Sequence, residues 1–283
     1  MVEFYPGYAV GIWYVAEVTD GTTPTNAAYL HLAHKTSLDW GNEGNPNGIR
    51  LSGSKDYADW AKGIENPTVN FTINPSQASG KAFIKNHIQA SLPFTLLVMW
   101  DRGTDVIYIR ITGCKVKSGN VKCELYPNAG VVEASLAIWG WKGFFTQSAG
   151  IPTFEAPPST FLNWSNVVIK RNTVVVTDWW DFDFSVENEL YRNIDDQGLC
   201  NGITDGIREV SGTFTRSAND VSGVGSVEYA ESVDATNVDL EMDLIADLYQ
   251  FVDCVYNEVR VTAPLDGIIG KKMSWKATSL TIA

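Results

Sequence analysis

The sequence predicts a mainly β protein, and three observations carry that expectation. Apolar and polar residues alternate with period two through most of the apolar segments. Gly, Asn and Pro fall between those segments, and helical spacing shows in only two places.

AVGIWYVAEV (9–18) and TVNFTI (68–73) read as strands. At 74–90, NPSQASGKAFIKNHIQA predicts a helix, with Asn74 as N-cap, Pro75 at the first helical position and Gln77 three residues after the cap. The strand period returns in FTLLVMW (94–100), VIYIRI (106–111), VKCELY (121–126), VVEASLAIW (131–139), NTVVVTDWWDFDFSVENEL (172–190) and VDLEMDL (238–244). A second helix is expected over 244–257, where Leu244, Leu248, Phe251 and Val255 form one stripe.

Cys114 and Cys123 flank KVKSGNVK, which reads as two short strands around a Ser-Gly turn. A Ser118-Gly119 loop sets the two cysteines directly opposite, at a spacing that permits a disulfide. A Gly119-Asn120 loop makes them diagonal neighbours instead. In the first register Val116 and Val121 share their face, so both cysteines also fit as buried thiols, the preferred reading for a chain with no secretory signal. Cys200 and Cys254 show no metal spacing.

At 283 residues the chain can form one large domain or two ordinary ones. It carries 33 acidic against 21 basic residues, a net charge of −12, and no basic cluster that could neutralise phosphates. The same excess discourages adsorption to anionic membranes. It is compatible with a protein that nucleic acid passes without sticking. No apolar run approaches the roughly 20 residues of a membrane-spanning helix. The opening MVEFYPGYAVGIW lacks the basic and continuous apolar regions of a secretory signal, so the chain is expected to start out in a cytoplasm. On that expectation the glycosylation sequons at Asn70 and Asn163 are accidental.

His31 and His34 form H-x-x-H, which in a strand points the two side chains to opposite faces, and His87 stands alone. Neither a metal nor a cofactor is expected, and no nucleophile, phosphate-loop or dinucleotide pattern occurs. The carboxylates are more regular. Asp181, Asp183, Ser185, Glu187 and Glu189 share one strand face, against Trp180, Phe182, Phe184, Val186, Asn188 and Leu190. VDLEMDL repeats the scheme with Asp239, Glu241 and Asp243. A glycosidase needs two carboxylates in distinct environments, whereas these form ladders of one sign, so a surface property is expected rather than catalysis. A carbohydrate-binding module using Trp139, Trp141, Trp179 or Trp180 is the alternative, with a glycoside hydrolase behind it.

GIRLSGS (48–54) has an echo in GIREVSGT (206–213). Each is followed by a strand, a predicted helix and two strands, which points to an internal duplication. The expected units are 1–115 and 116–283, with Gly48 and Arg50 in one turn and Gly206 and Arg208 in the other. The Pro-rich loop at 150–160 is expected to be a tether or edge inside the second unit.

The run from Val174 to Ser217 resembles tail tube proteins of tailed phages and related archaeal viruses. The resemblance lies in the Asn188-Glu189-Leu190 step, in the segment Ile203, Gly206, Arg208, Val210 and Gly212, and in the closing Lys276–Ser279 strand. EVTDGTTPTNAAYLHLAHKTSL (17–38) is similar to that family's opening. The resemblance implies a tail-tube-type β-sandwich or barrel with flanking helices and a structural role in the virion, with assembly in the host cytoplasm. It implies rings that stack into a tube, contacts with other tail proteins, DNA passing without specific binding, and no membrane. Six units surround the lumen in that family. A duplicated chain therefore closes as a trimer with pseudo-sixfold symmetry, the preferred reading, and an undivided chain as a hexamer. The acidic residues 181, 183, 187 and 189, joined by 239, 241 and 243, are expected to face the lumen.

Overall fold

The computed structural model describes residues 10–282 apart from 26–27, 34–37, 43–46, 51–56, 62–66, 102–105, 126–129, 148–152, 196–199, 218–225 and 263–269. The strands of the first half are β1 (Val10–Ala16), β2 (Leu30–Leu32), β3 (Asp39–Asn42), β4 (Asn47–Arg50), β5 (Tyr57–Ala61), β6 (Pro67–Ile73), β7 (Phe94–Asp101), β8 (Val106–Glu124), β9 (Val132–Trp139) and β10 (Lys142–Gln147). Those of the second are β11 (Val167–Arg171), β12 (Val174–Val175), β13 (Trp179–Ile194), β14 (Cys200–Ser217), β15 (Val238–Leu244), β16 (Asp247–Thr262), β17 (Gly270–Ala277) and β18 (Ser279–Ile282). Helix α1 (Ser79–Phe83) continues as a π-helical turn over Ile84–Gln89, and α2 (Ser226–Asp234) precedes β15.

The period-two alternation builds an inner sheet with one apolar and one polar face. On β13, Phe182, Phe184 and Val186 are fully buried, while Asp181, Asp183 and Ser185 are only half-buried. The strands pair antiparallel in the order β3-β6-β9-β8-β13-β14-β17-β16. β4 and β5 form a separate pair. Two smaller sheets flank the inner one: β8-β7-β1-β2 with β10 added on β8, and β16-β15-β11-β12 with β18 added on β16. One continuous core joins them to the inner sheet. In it Phe184 and Trp275 meet Phe251 at ring-centroid distances of 5.2 and 4.9 Å, and Tyr14, Phe83 and Phe94 pack edge to face.

Two strands belong to both layers. β8 pairs with β7 and β10 as far as Cys114, then with β9 from Lys115 and with β13 from Ser118. β16 pairs with β15 and β18 as far as Cys254, then with β17 from Val255. Each changes sheet at a left-handed residue, Gly113 (φ 59°) or Asp253 (φ 51°). Each then carries a bulge, between Val116 and Ser118 or between Tyr256 and Glu258.

Several segments differ from the sequence expectation. The helix expected over 244–257 is the end of β15 and most of β16. Ile245 and Ala246 take φ of 48° and 65° and close a two-residue hairpin, after which Tyr249 and Phe251 enter the core with strand period. The second helix lies instead at α2, where SVEYAESVD has a weak apolar stripe and is held by charge. Glu228, 4% exposed, meets Arg216 at 3.0 Å and Lys271 at 2.8 Å, and Glu231 pairs with Arg171. Helix α1 starts five residues later than Asn74, and the Ser76 hydroxyl accepts a hydrogen bond from the Gly80 amide at 2.8 Å.

There is no hairpin between Cys114 and Cys123. β8 runs unbroken through Ser118 and Gly119, the cysteines lie along one strand, and all four are free thiols. Gly119 makes room for a helix rather than a turn, since a Cβ there would come within 2.9 Å of the Ile88 side chain. The same continuity carries β8 through residues 115 and 116, where the sequence suggests a join. Nor are the Gly-Ile-Arg segments turns in equivalent positions: Gly48 and Arg50 lie in β4, which among the described residues pairs only with β5, and Gly206 and Arg208 lie within β14. The described part of the Pro-rich segment is a strap. The Thr153 carbonyl accepts from the Tyr29 amide at 3.0 Å, that of Glu155 accepts from Trp13 Nε1 at 3.1 Å, and Phe154 packs against Trp13, Tyr29 and Tyr108.

Gly212 fixes the fit of β14 between β13 and β17. A Cβ there would fall 2.1 Å from the Asp183 carbonyl oxygen and 2.4 Å from the Trp275 ring. Gly212→Ala is expected to lower stability by about 1–3 kcal/mol in urea unfolding. Gly202→Ala, whose Cβ meets only the Asn193 side chain at 3.3 Å, should stay within about 0.5 kcal/mol.

Candidate functional site

The polar face of the inner sheet is an extended surface turned away from the core. Its rows run across the strands by register. Lys272, Thr215, Asp181 and Glu124 form one row, and Ser274, Thr213, Asp183, Lys122 and Glu133 the next. A third holds Lys276, Ser211, Ser185, Asn120, Ser135 and Thr72, and a fourth Glu209, Glu187, Ser118, Ala137, Asn70 and Asp39. Short hydroxyls and amides in the middle rows are tied across strands. Asn120 donates to the Ser185 hydroxyl at 2.8 Å, Thr72 and Ser135 share a hydrogen bond of 3.0 Å, and the Thr213 amide donates to Asp183 at 3.2 Å. Small side chains leave a groove of about 450 Å³ here, lined by Asp39, Asn70, Ser118, Ser135, Ser185 and Glu187.

The acidic ladder of β13 lies on this face, but it is not of one sign. Asp183 stands opposite Lys122, which also meets Glu124 at 2.9 Å, and Lys276 stands 3.8 Å from Glu209. The Lys122 ammonium is held above its ordinary pKa, first by its hydrogen bond to Glu124. Burial pushes the Asp181 carboxyl up to about 6, with Lys122 opposing the shift and Asp183 and Glu124 adding to it. Glu187 and Glu189 are exposed. Asp239, Glu241 and Asp243 do not join them: they stand on β15 in an outer sheet, where Glu241 is buried beside Lys170 at 3.5 Å and Asp239 accepts from the Asp253 amide. The two acidic runs, expected together, therefore lie in different sheets. The sequence ladder names Ser185 but not the cross-strand rows of Ser, Thr and Asn that it belongs to, although their period-two placement on β6, β8, β9 and β14 is the same signal that singled out the acids.

Beyond Asn188, β13 and β14 leave the inner sheet and run on as a two-stranded arm, Leu190–Ile194 against Cys200–Asp205. Asn188 anchors its base by donating to the Val116 carbonyl at 2.8 Å, at the β8 bulge. Arg208 donates to the carbonyls of Gln89 and Leu280, and Lys115 meets Asp205 at 2.7 Å. Gly206 lets the arm close, since a Cβ would meet the Tyr191 ring at 2.6 Å. Tyr191, Ile194 and Ile207 are exposed along this stretch.

The tryptophans weighed as sugar platforms are engaged by protein. Trp179 is buried against Trp164, and Arg192 and Lys117 stack on Trp139 at 4.2 and 4.9 Å. Trp141 covers Gly113 and donates to the Cys200 carbonyl, and Trp180 packs on Gly270. Among the described residues no three His, Cys, Asp or Glu side chains gather closely enough to hold a metal ion. His31 is buried on β2, edge-on to Trp13, and His34 lies outside the described residues.

Asp181 gives the face a pH signature. Its folded carboxyl keeps a proton to higher pH than the ordinary 3.8, so the stability it contributes is present below about pH 4 and is lost as pH rises through about 6. Asp181→Asn should therefore raise the melting temperature relative to the parent at pH 7 and leave it nearly unchanged at pH 4. Equal shifts at both pH values would contradict this.

Residues 7–277 match the sequence model of a family described as Phage tail tube protein. Among solved structures, a chain of "Virion of native gene transfer agent (GTA) particle" is similar at TM-score 0.35 and 11% identity, covering 43% of this chain and 98% of that one. A chain of "Cryo-EM structure of the anti-feeding prophage cap (AFP tube terminating cap)" is similar at TM-score 0.36 and 12% identity, covering 46% of this chain and 95% of that one. No curated protein sequence matches the chain.

Proposed function

The chain belongs to the phage tail tube protein family, a structural component of the virion, and from that premise we propose that its inner sheet is the channel wall, with the polar face lining the lumen. The single observation that carries this is the division of the sheet. One face is sealed into the core by aromatic and aliphatic side chains, and the other presents short hydroxyls, amides and carboxylates. Lys122 and Lys276 of this wall each stand beside a carboxylate, and the chain's net charge of −12 repels the phosphates of DNA sliding past it. The lumen residues among the acids are Asp181, Asp183, Glu187 and Glu189, without the three on β15. The role is passive, with no substrate turned over.

The chain carries two tube units in tandem, residues 10–147 and 167–282, with the strap containing Phe154 between them. What supports this is the pairing. β1, β2, β3, β6, β7, β8, β9 and β10 have the same mutual partners, in the same chain order, as β11, β12, β13, β14, β15, β16, β17 and β18. The matching registers align TVNFT (68–72) with SGTFT (211–215). The internal echo of GIREVSGTFT (206–215) is then GIENPTVNFT (63–72), and the likeness at 48–54 is coincidence. Six units to a ring then means three chains with pseudo-sixfold symmetry.

Native mass spectrometry of released rings should give three chains, and six would overturn the two-unit reading. Glu187→Lys/Glu189→Lys tubes should form and retain duplex DNA at low salt, releasing it as salt rises. If those tubes pass DNA as freely as the parent's, the polar face does not line the lumen.

A further inference from the structure

The inner sheet ends in two edges. Among the described residues β3 pairs only with β6, and the Val255–Thr262 half of β16 pairs only with β17. Such an edge offers a row of amides and carbonyls to another strand. The chain already contains a joint of the same kind in mid-sheet, where β8 pairs with β13 from Ser118–Glu187 to Glu124–Asp181.

β16 is laid out like β8, position by position. Cys254 matches Cys114, each thiol bonded to a carbonyl three residues back, at 3.2 and 3.3 Å. Asp253 matches Gly113 in its left-handed backbone, and the Tyr256–Glu258 bulge matches Val116–Ser118. Followed through β17 and β14 on one side and β9 and β6 on the other, the registers set Asp39, Trp40 and Gly41 of β3 where β13 has Asp183, Phe184 and Ser185.

We propose that the β16 edge of one chain pairs antiparallel with β3 of a second copy, in the register that β8 takes with β13. Thr262 then stands opposite Asp39, Val261 opposite Trp40, and Arg260 opposite Gly41. Burial supports this pairing. Val121, under the internal joint, is 2% exposed, whereas its counterpart Val261 is 63% exposed. Phe182 is fully buried, whereas its counterpart Leu38 is only partly so. Charge fits as well: Arg260 and Asp39, both exposed, become diagonal neighbours on one face.

This inference rests on the tube reading, and the test separates the two. Directly opposed antiparallel pairs alternate between wide and close spacing, so one of two consecutive pairs suits a disulfide. Full-length chains carrying Trp40→Cys with Val261→Cys, or Asp39→Cys with Thr262→Cys, are assembled, oxidised mildly and run on a non-reducing gel. At least one pair should convert most of the protein into two- and three-chain species. Those species should be absent from the parent, the single variants and the out-of-register pair Asn42→Cys with Thr262→Cys. Tubes that form normally without cross-linking in either pair, or that cross-link equally out of register, overturn the proposed joint alone. A parent chain that forms neither rings nor tubes overturns the tube reading itself.

Discussion

Strands that change sheets hold this molecule together. β8 and β16 each supply hydrogen bonds to an outer sheet with one half and to the inner sheet with the other, so the layers cannot slide without breaking both ladders. The change of layer requires a left-handed residue, which costs on the order of 1–2 kcal/mol for anything but glycine. Gly113 avoids that cost. Asp253 bears it with a short polar side chain, and its amide is bonded to the Asp239 carboxylate at 3.2 Å.

Because the strands are pinned in this way, the inner sheet can devote one whole face to something other than stability. Its apolar face alone anchors it, through Phe182, Phe184, Phe214 and Trp275, all essentially buried. The polar face is left with hydrogen bonds among short side chains and with lysines set among carboxylates. On the reading proposed above, that composition suits passage better than capture, because short polar side chains line the groove of about 450 Å³ on this face.

Much of this was legible in the sequence, and the failures have physical causes. The alternation on β13 names both its faces residue by residue. Family membership was legible in the motifs around Asn188 and Gly212. The segment 244–257 misled because a hairpin between two strands happens to set Leu244, Leu248, Phe251 and Val255 at helical spacing, and nothing in Ile245-Ala246 announces a turn. Helix α2 was missed because ion pairs of Glu228 and Glu231 fix it rather than an apolar stripe. The string Gly-Ile-Arg suggests a repeat at one place in the sequence, whereas the proposed match by register shares a pattern more than letters. Lys272 and Lys276 are far apart in sequence from Asp181 and Glu209, so only the pairing of strands brings them to one face.

The account comes down to which face of the inner sheet meets the channel. An averaged cryo-EM map of the assembled tube, at a resolution that traces strands, tests this most directly. The account predicts Ser185, Asn120, Ser135 and Thr215 along the channel wall, with α1, α2 and the outer sheets on the outside. A map in which the helices or the sheet containing β15 line the channel would contradict it.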